Sequence, residues 1–454
     1  MSGSRMTIRR FPSAAAARPT LLASRALEET GLPEHVQAKI TEVFGEPLTA
    51  EQVTARILAD VRSQGDAAVH RYTRAIEGRD IGSIQVSERE IDEAIEKVGQ
   101  RSMDALRVAA DRIREFHERT RRQSWVDFKD QGALGQLIRP LARVGIYAPG
   151  GRATYPSSVL MAAVPARVAG VPSVAMTSPA GPDGSVTPIL LAAARVAGVT
   201  DVYRMGGAQA VAAMAYGTDS VSPVDKIVGP GNVFVALAKR MVFGHVGIDG
   251  LAGPTECLIV ADDTADPLFL ATDLMAQAEH DPLAQPILIC SSERVIDATV
   301  KQIERRLSAA PRASIIRESL AGRGAAVLVD SVEEGIELSN EYAPEHLTLC
   351  VTDPWSRLGL VRNAGGVFLG ELSAEAVGDY IAGPSHIMPT GGTARFSSPL
   401  NVDDFIKITS VFSFSKDQLR ELGHSAIEIA HAEGLYAHAE AIEVRLEIVG
   451  GGPA

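Results

Sequence analysis

Apolar residues recur at helical spacing through residues 45–125. Thr49-x-x-Gln52 has the form of a capping box and precedes Val53, Ile57 and Val61. Ser87-x-x-Glu90 repeats the device ahead of Ile91, Ala94, Ile95 and Val98. Leu106, Ala109, Ile113 and Phe116 continue the stripe, and Arg112, Arg114, Glu118 and Arg119 fill a solvated face. Near residue 143 the pattern changes to short apolar runs. RVGIY (143–147), SVAMTS (173–178), DVYRM (201–205) and KIVG (226–229) read as strands. YPSSVLMAAVPARVAG (155–170), TPILLAAARVAG (187–198) and NVFVALAKRM (232–241) read as the helices between them. ARVAGV occurs at 166–171 and again at 194–199, each time ending a helix with Gly and entering a strand. Such helix–stop–strand units predict a parallel, doubly wound sheet.

A second strand series begins near residue 256: ECLIVAD, PILICS, AAVLVD, HLTLCVT and GVFLG. Helical stretches at about 265–280, 292–308 and 331–341 separate these runs. After NVDDF (401–405) no strand series is evident, and the last fifty residues read as mostly helical. The expected fold class is therefore α/β, with two doubly wound, incomplete Rossmann-like sheet domains, a small helical N-terminal arm and a C-terminal tail. The expected boundaries are an arm at 1–40, a discontinuous first domain at 41–145 and 254–400, a second at 146–253, and a tail at 401–454. No G-x-G-x-x-G fingerprint follows a strand; Gly322-Arg-Gly324 lacks the third glycine and precedes one, so a standard Rossmann cofactor motif is not supported.

The chain has 454 residues, enough for several domains and a large core. Its formal net charge of −12 argues against a general nucleic-acid or anionic-membrane surface. No apolar stretch reaches the length of a transmembrane helix. Three separated cysteines, Cys257, Cys290 and Cys350, form no disulfide framework and read as buried thiols of a cytoplasmic protein. The first twenty residues are rich in Arg, Ser and Ala and lack acids. That is the composition of a transit peptide, and the plainer reading is a short leader followed by an exposed arm.

Four segments carry candidate chemistry, each weak by itself. Gln277 and His280 in LMAQAEH are three apart near a helix end, so an imidazole and an amide oxygen share a face and could ligate zinc. Glu345 and His346 in YAPEHLTL stand at a strand edge and could divide proton-transfer roles. GDYIAGPSHIMPTGG supplies Asp379 and His386 in a Gly- and Pro-rich loop. HAEGLYAH supplies Glu433 and His438. Each has an ordinary structural reading as a cap, surface pair, linker or solvated helix. Two glycine turns, YAPGG (147–151) and GPGN (229–232), stand where backbone N–H groups at a helix start can hold phosphate.

In order and at compatible spacing, these pieces resemble the histidinol dehydrogenase family. IDGLAGPTECLIVAD…ATDLMAQAEH (248–280) is similar to that family's long signature. GIYAPGG, GGAQA (206–210), KIVGPGN, NEYAPEHL, GDYIAGPSH and EGLYAH extend the resemblance from about 143 to 440. Position 255 is Thr where Ser is frequent, Asp281 stands where Gly is common, and Met275 replaces a usual Leu; none removes a functional group.

The resemblance implies one Zn²⁺ per subunit held by Gln277, His280, Asp379 and His438, and an acid–base pair of Glu345 and His346. It implies substrate contacts from Thr255, Gln277, His280, His346, Asp379, Glu433 and His438, with His386 nearby. NAD contacts would come from Tyr147, Gln209 and Asn232. Glu433 and His438 would be donated to the other subunit of a homodimer. The implied reaction is the last step of histidine biosynthesis, oxidation of L-histidinol through L-histidinal to L-histidine with two NAD⁺. Two rivals stand beside it: a related dehydrogenase of another small alcohol such as a sulfonated diol, and a non-catalytic two-lobed binding protein.

Overall fold

The structure is a computed structural model that describes residues 8–23, 32–129, 132–150 and 154–450. In chain order its strands are β1 (Arg9–Phe11), β2 (Trp125–Lys129), β3 (Gly132–Pro140), β4 (Arg143–Tyr147), β5 (Ser173–Ser178), β6 (Asp201–Arg204), β7 (Lys226–Val228) and β8 (Gly247–Ile248). Next come β9 (Glu256–Ala261), β10 (Gln285–Cys290), β11 (Ala325–Leu328), β12 (His346–Cys350), β13 (Gly366–Leu369) and β14 (Ile406–Phe414). The chain forms two compact units, one of Met1–Thr120 with Leu141–Phe405, the other of Arg121–Pro140 with Ile406–Ala454.

The first unit holds two all-parallel sheets, of order β6-β5-β4-β7-β8 and β1-β11-β10-β9-β12-β13. Helices cover both faces of each sheet, so successive strand residues alternate between two cores. Val144 and Ile146 face one core while Tyr147 and Ala175 face the other. In the larger sheet Ile259 and Leu288 face one side, and Leu258, Ile287 and Leu347 the other. Each such fully buried aliphatic side chain contributes about 1.5–3 kcal/mol by leaving water.

The repeated ARVAGV pieces do what their pattern predicts. Gly170 (φ 93) and Gly198 (φ 77) stop their helices in the left-handed region. Val171 and Val199 N–H groups reach back to the Ala166 and Ala194 carbonyls, closing the same terminal motif twice.

Both capping boxes form, at Thr49–Gln52 and Ser87–Glu90. The second one sets a pH dependence. Burial pushes the Glu90 carboxyl up, but donation from Ser87 and the Arg204 guanidinium at 2.6 Å outweighs it and holds it at about 2. A folded value below the unfolded one stabilises above the ordinary carboxylate range and is lost as pH falls toward 2. Glu90→Gln is expected to lower stability by about 1 kcal/mol at pH 7, the size of a helix cap. Thermal melting of variant and parent should converge in acid, and an undiminished difference near pH 2 would refute the assignment.

Two expectations are corrected. Residues 8–23 are not an exposed arm: β1 is the edge strand of the larger sheet, and Ala14, Ala17 and Leu21 of the helix Ala14–Leu21 are buried against that sheet. Nor is the C-terminal segment without strand. β14 pairs antiparallel with β3 along Ile406–Phe414, and β3 with β2, giving the second unit a three-stranded sheet beside the helices Lys416–Ala432 and Tyr436–Gly450. Alternation of Ile406, Ile408, Phe412 and Phe414 with polar residues favours an extended chain, and the partner strand exists only because residues 132–140 return to it. Residues 1–7 and the end of the YAPGG turn at Gly151 lie outside the described residues.

Candidate active site

The site collects at the amino-terminal ends of β9 and β12. Thr255 and Glu256 enter β9, and Glu345 and His346 enter β12, adjacent in the sheet. The larger sheet thus inverts the usual α/β arrangement, in which ligands sit beyond the carboxyl ends of strands. Helices end where strands begin, so the helix Pro267–Ala278 brings its carbonyl end, with Gln277, to the same place. A helix C-terminus carries partial negative charge, which suits a cation.

Hydrogen bonds join these residues in a continuous chain. Gln277 Nε2 donates to Thr255 Oγ1 at 2.7 Å, and Thr255 Oγ1 donates to Glu345 Oε2 at 2.6 Å. The Glu256 N–H also donates to Glu345 Oε2, at 3.0 Å. His346 Nδ1 lies 2.9 Å from the Glu256 carbonyl, which can only accept, so the proton sits on Nδ1. That leaves Nε2, 3.3 Å from Asp379 Oδ1, as the atom free to exchange a proton. Thr255 is thus the hinge between an amide and a carboxylate, a role its hydroxyl fills as serine would.

Ala343, in the turn that leads into Glu345, has φ 53, the one non-glycine positive φ among the described residues. The left-handed conformation costs an L-residue about 1–2 kcal/mol, and it occurs here where the chain must bend from the helix Val332–Tyr342 into the dyad.

The electrostatics follow from burial and crowding. Burial pushes Glu345 up to about 7, although His346, Thr255 and the Glu256 N–H favour its anion. His346 is held well above the usual imidazole range: burial opposes its cation, and Glu375, Glu345 and Asp379 together outweigh burial. Asp379 stays low despite burial because His346 donates to it and histidines surround it. His280 and His386 are pushed down by burial, so their rings are neutral.

Glu375 was missed in the sequence. It is buried, lies 3.7 Å from His346 Nδ1, accepts from the Cys257 thiol, and is pushed by burial up to about 7. Its Oε2 is buried without a hydrogen-bond partner. A readable signal existed: Glu375 and Asp379 are four apart, on one helix face, where like charges repel unless a cation lies between them. Glu256 was missed as well, because its part is played by its backbone carbonyl and N–H.

Two descriptions of a metal site now stand side by side. Ligand atoms of His346, Glu375 and Asp379 lie within 4.8 Å of one another. The set implied by the resemblance shares only Asp379 with that trio. It nonetheless suits zinc: Gln277 Oε1 is buried without a partner while Nε2 is engaged, and a neutral His280 offers a lone pair. His280 stacks on Tyr155, with rings 6.4 Å apart and 8° from parallel. His386 pins Asp379 from behind, donating through Nδ1 to the Asp379 carbonyl at 2.7 Å and meeting Ser158 Oγ at 3.0 Å.

The smaller sheet keeps the usual polarity, with its turns beyond the carboxyl ends of β4, β6 and β7. Tyr147 ends β4, and its buried hydroxyl accepts from the Gly207 N–H at 3.1 Å. Gln209, also buried, stands in the first turn of the helix Gly207–Tyr216. Asn232 caps the helix Val233–Val242, its Oδ1 accepting from the Phe234 and Val235 N–H groups. Beneath that turn Lys239 and Asp249 form a buried ion pair and grip the Gly229 carbonyl and N–H. Helix N-termini favour an anion here, the opposite sense to the larger sheet. Glu433 and His438 belong to the second unit, where both are exposed.

The histidinol dehydrogenase profile matches residues 46–446. The chain belongs to the histidinol dehydrogenase family. The histidinol dehydrogenase of Deinococcus radiodurans is 49% identical over 426 residues, 93% of this chain and 97% of that one. That of Heliobacterium mobile is 50% identical over 396 residues, 87% and 93% of the two chains. The crystal structure of histidinol dehydrogenase from Elizabethkingia anophelis superposes with a TM-score of 0.90 at 32% identity, covering 98% of this chain and 99% of that one. Membership makes the chain an oxidoreductase and sets aside the non-catalytic binding protein.

Proposed function

We propose that the chain oxidises L-histidinol through L-histidinal to L-histidine with NAD⁺, as a cytoplasmic homodimer holding one Zn²⁺ per subunit. The observation that carries this reading is the unbroken chain Gln277–Thr255–Glu345–Glu256–His346–Asp379, in which a proton-exchanging imidazole and a poised carboxyl adjoin metal-competent oxygens.

Gln277, His280 and Asp379 would hold the metal, with His438 from the partner completing the set. Zinc supplies a Lewis-acid template for the substrate's nitrogens, and NAD⁺ supplies the hydride acceptor. A cation bound beside His346 would offset the carboxylates that hold its ring protonated; the neutral ring, kept in the right tautomer by its Nδ1–H bond to the Glu256 carbonyl, then takes the alcohol proton at Nε2. Glu345, buried and pushed up to about 7, takes a proton from water in the aldehyde step and returns it afterwards. Thr255 steadies that carboxylate while facing the substrate. Tyr147, Gln209 and Asn232 line the nucleotide side.

The shared site is supported by what the second unit leaves uncovered. Glu433 and His438 are exposed, and so are Phe128 (80%), Phe412 (68%) and Tyr436 (71%). Phe412 shares one face of the three-stranded sheet with exposed Trp125, Leu134 and Phe414, while Phe128 is on the opposite face, and a contiguous apolar patch of the first kind marks an interaction site. Three free, buried cysteines accord with a reducing compartment.

Steady-state turnover of L-histidinol should yield about two NADH per histidine formed, since each oxidation passes one hydride. NADH from a sulfonated diol and none from histidinol would transfer the chain to the rival reading. Mixed under subunit exchange, inactive His438→Ala and His346→Ala proteins should regain activity, because one site of the hybrid receives both intact residues. Exchange without recovery would defeat the shared site.

A further inference from the structure

The turn that leads into the helix Gly207–Tyr216 contains a hydrogen-bond network with no role so far. Its anchor is Glu77. This residue ends a π-helical turn, Thr73–Glu77, that continues the helix Asp66–Tyr72. Such wide turns are rare and frequently occur at functional places. Glu77 Oε1 accepts from Gln209 Nε2 at 2.9 Å, and the carboxylate also accepts from the Gly206 N–H. A Cβ at Gly206 would stand 2.9 Å from Glu77 Oε1 and 2.6 Å from Pro179 Cγ, so the absence of a side chain admits the carboxylate to the turn.

The consequence falls on Gln209. A carboxamide offers a donor end and an acceptor end of nearly the same shape, and its neighbours decide which way it points. A carboxylate only accepts, so the NH₂ end faces Glu77. Gln209 Oε1 is then left buried with no hydrogen-bond partner. A buried acceptor left unpaired is costly, and a donor arriving from a ligand removes that cost. Beside it, the Gly207 N–H is already taken by Tyr147 Oη. Burial pushes the Glu77 carboxyl up to about 7, against the hydrogen bonds from Gly206 and Gln209 and the charge of Arg79. The bonds that orient the amide are therefore also the ones that favour the anion.

We propose that Glu77 is a positioning residue for the dinucleotide, locking Gln209 with Oε1 turned toward a hydroxyl or amide N–H of bound NAD⁺. The proposal rests on the assignment of Gln209 to the nucleotide side made above.

Calorimetric titration of the purified protein with NAD⁺ tests it. Gln209→Ala is expected to weaken binding about tenfold, the loss of one well-placed hydrogen bond. Glu77→Ala should weaken it about as much, leave the KM for L-histidinol unchanged, and add nothing in the double variant. Glu77→Gln keeps one acceptor and should lose about threefold; it also serves if the alanine variant fails to fold. Unchanged NAD⁺ affinity in a folded Glu77 variant, or losses that multiply in the double variant, would overturn the role of Glu77 while the nucleotide assignment stood. Unchanged affinity in Gln209→Ala would overturn both.

Discussion

His346→Asn is expected to lower kcat by about 10²–10⁴-fold, the usual contribution of a positioned general acid–base. Asparagine is the informative replacement. Its Nδ2 can take the place of the imidazole Nδ1 that donates to the Glu256 carbonyl, so the buried bond survives and the fold with it. What disappears is the Nε2 atom facing Asp379, the only position on this side chain that can exchange a proton with substrate. Affinity for NAD⁺ should be untouched, because its contacts are assigned to the other sheet. A variant that is folded, binds NAD⁺ and retains kcat within a factor of ten of the parent would remove His346 from the chemistry.

Asp379→Ala is expected to strip the metal, with zinc retention falling at least 10²-fold and activity falling with it. Metal analysis of the purified variant measures this directly, and chelation of the parent followed by added zinc should abolish and restore turnover. The same assay separates the two ligand sets. If Gln277→Ala and His280→Ala lose zinc while Glu375→Gln keeps it, the set implied by the resemblance is right. Zinc lost from Glu375→Gln and kept by Gln277→Ala would give the ion to the trio of His346, Glu375 and Asp379. Either way the site crowds the carboxyls of Glu345, Glu375 and Asp379 around one imidazole in a buried pocket, an arrangement that calls for positive charge.

The two sheets were legible because their signals are local. ARVAGV twice announces a helix, a stop and a strand, and capping boxes mark helix starts within four residues. Gln277, His280, Glu345, His346 and Asp379 stand out in the sequence because each sits in a distinctive run, although only the fold shows Thr255 joining Gln277 to Glu345. What escaped was non-local. Glu375 looks like an ordinary acid at a short helix start, and its burial depends on the packing of its whole neighbourhood. β14 needs a partner strand far away in sequence. The edge position of β1 could not be read from three residues, RRF, whose partner is Ala325–Val327. Nor does any strand pattern reveal that chemistry gathers at its entry instead of its exit.

The three-stranded sheet of the second unit has a consequence for biogenesis. β2 and β3 are synthesised before every strand of the two parallel sheets except β1, whereas β14 follows them all. A two-stranded hairpin alone is marginal in water, so this sheet waits for the final segment to emerge. Glu433 and His438 arrive on that same segment. Where those two complete a neighbouring subunit's pocket, a chain can complete its neighbour only once its own translation is nearly finished.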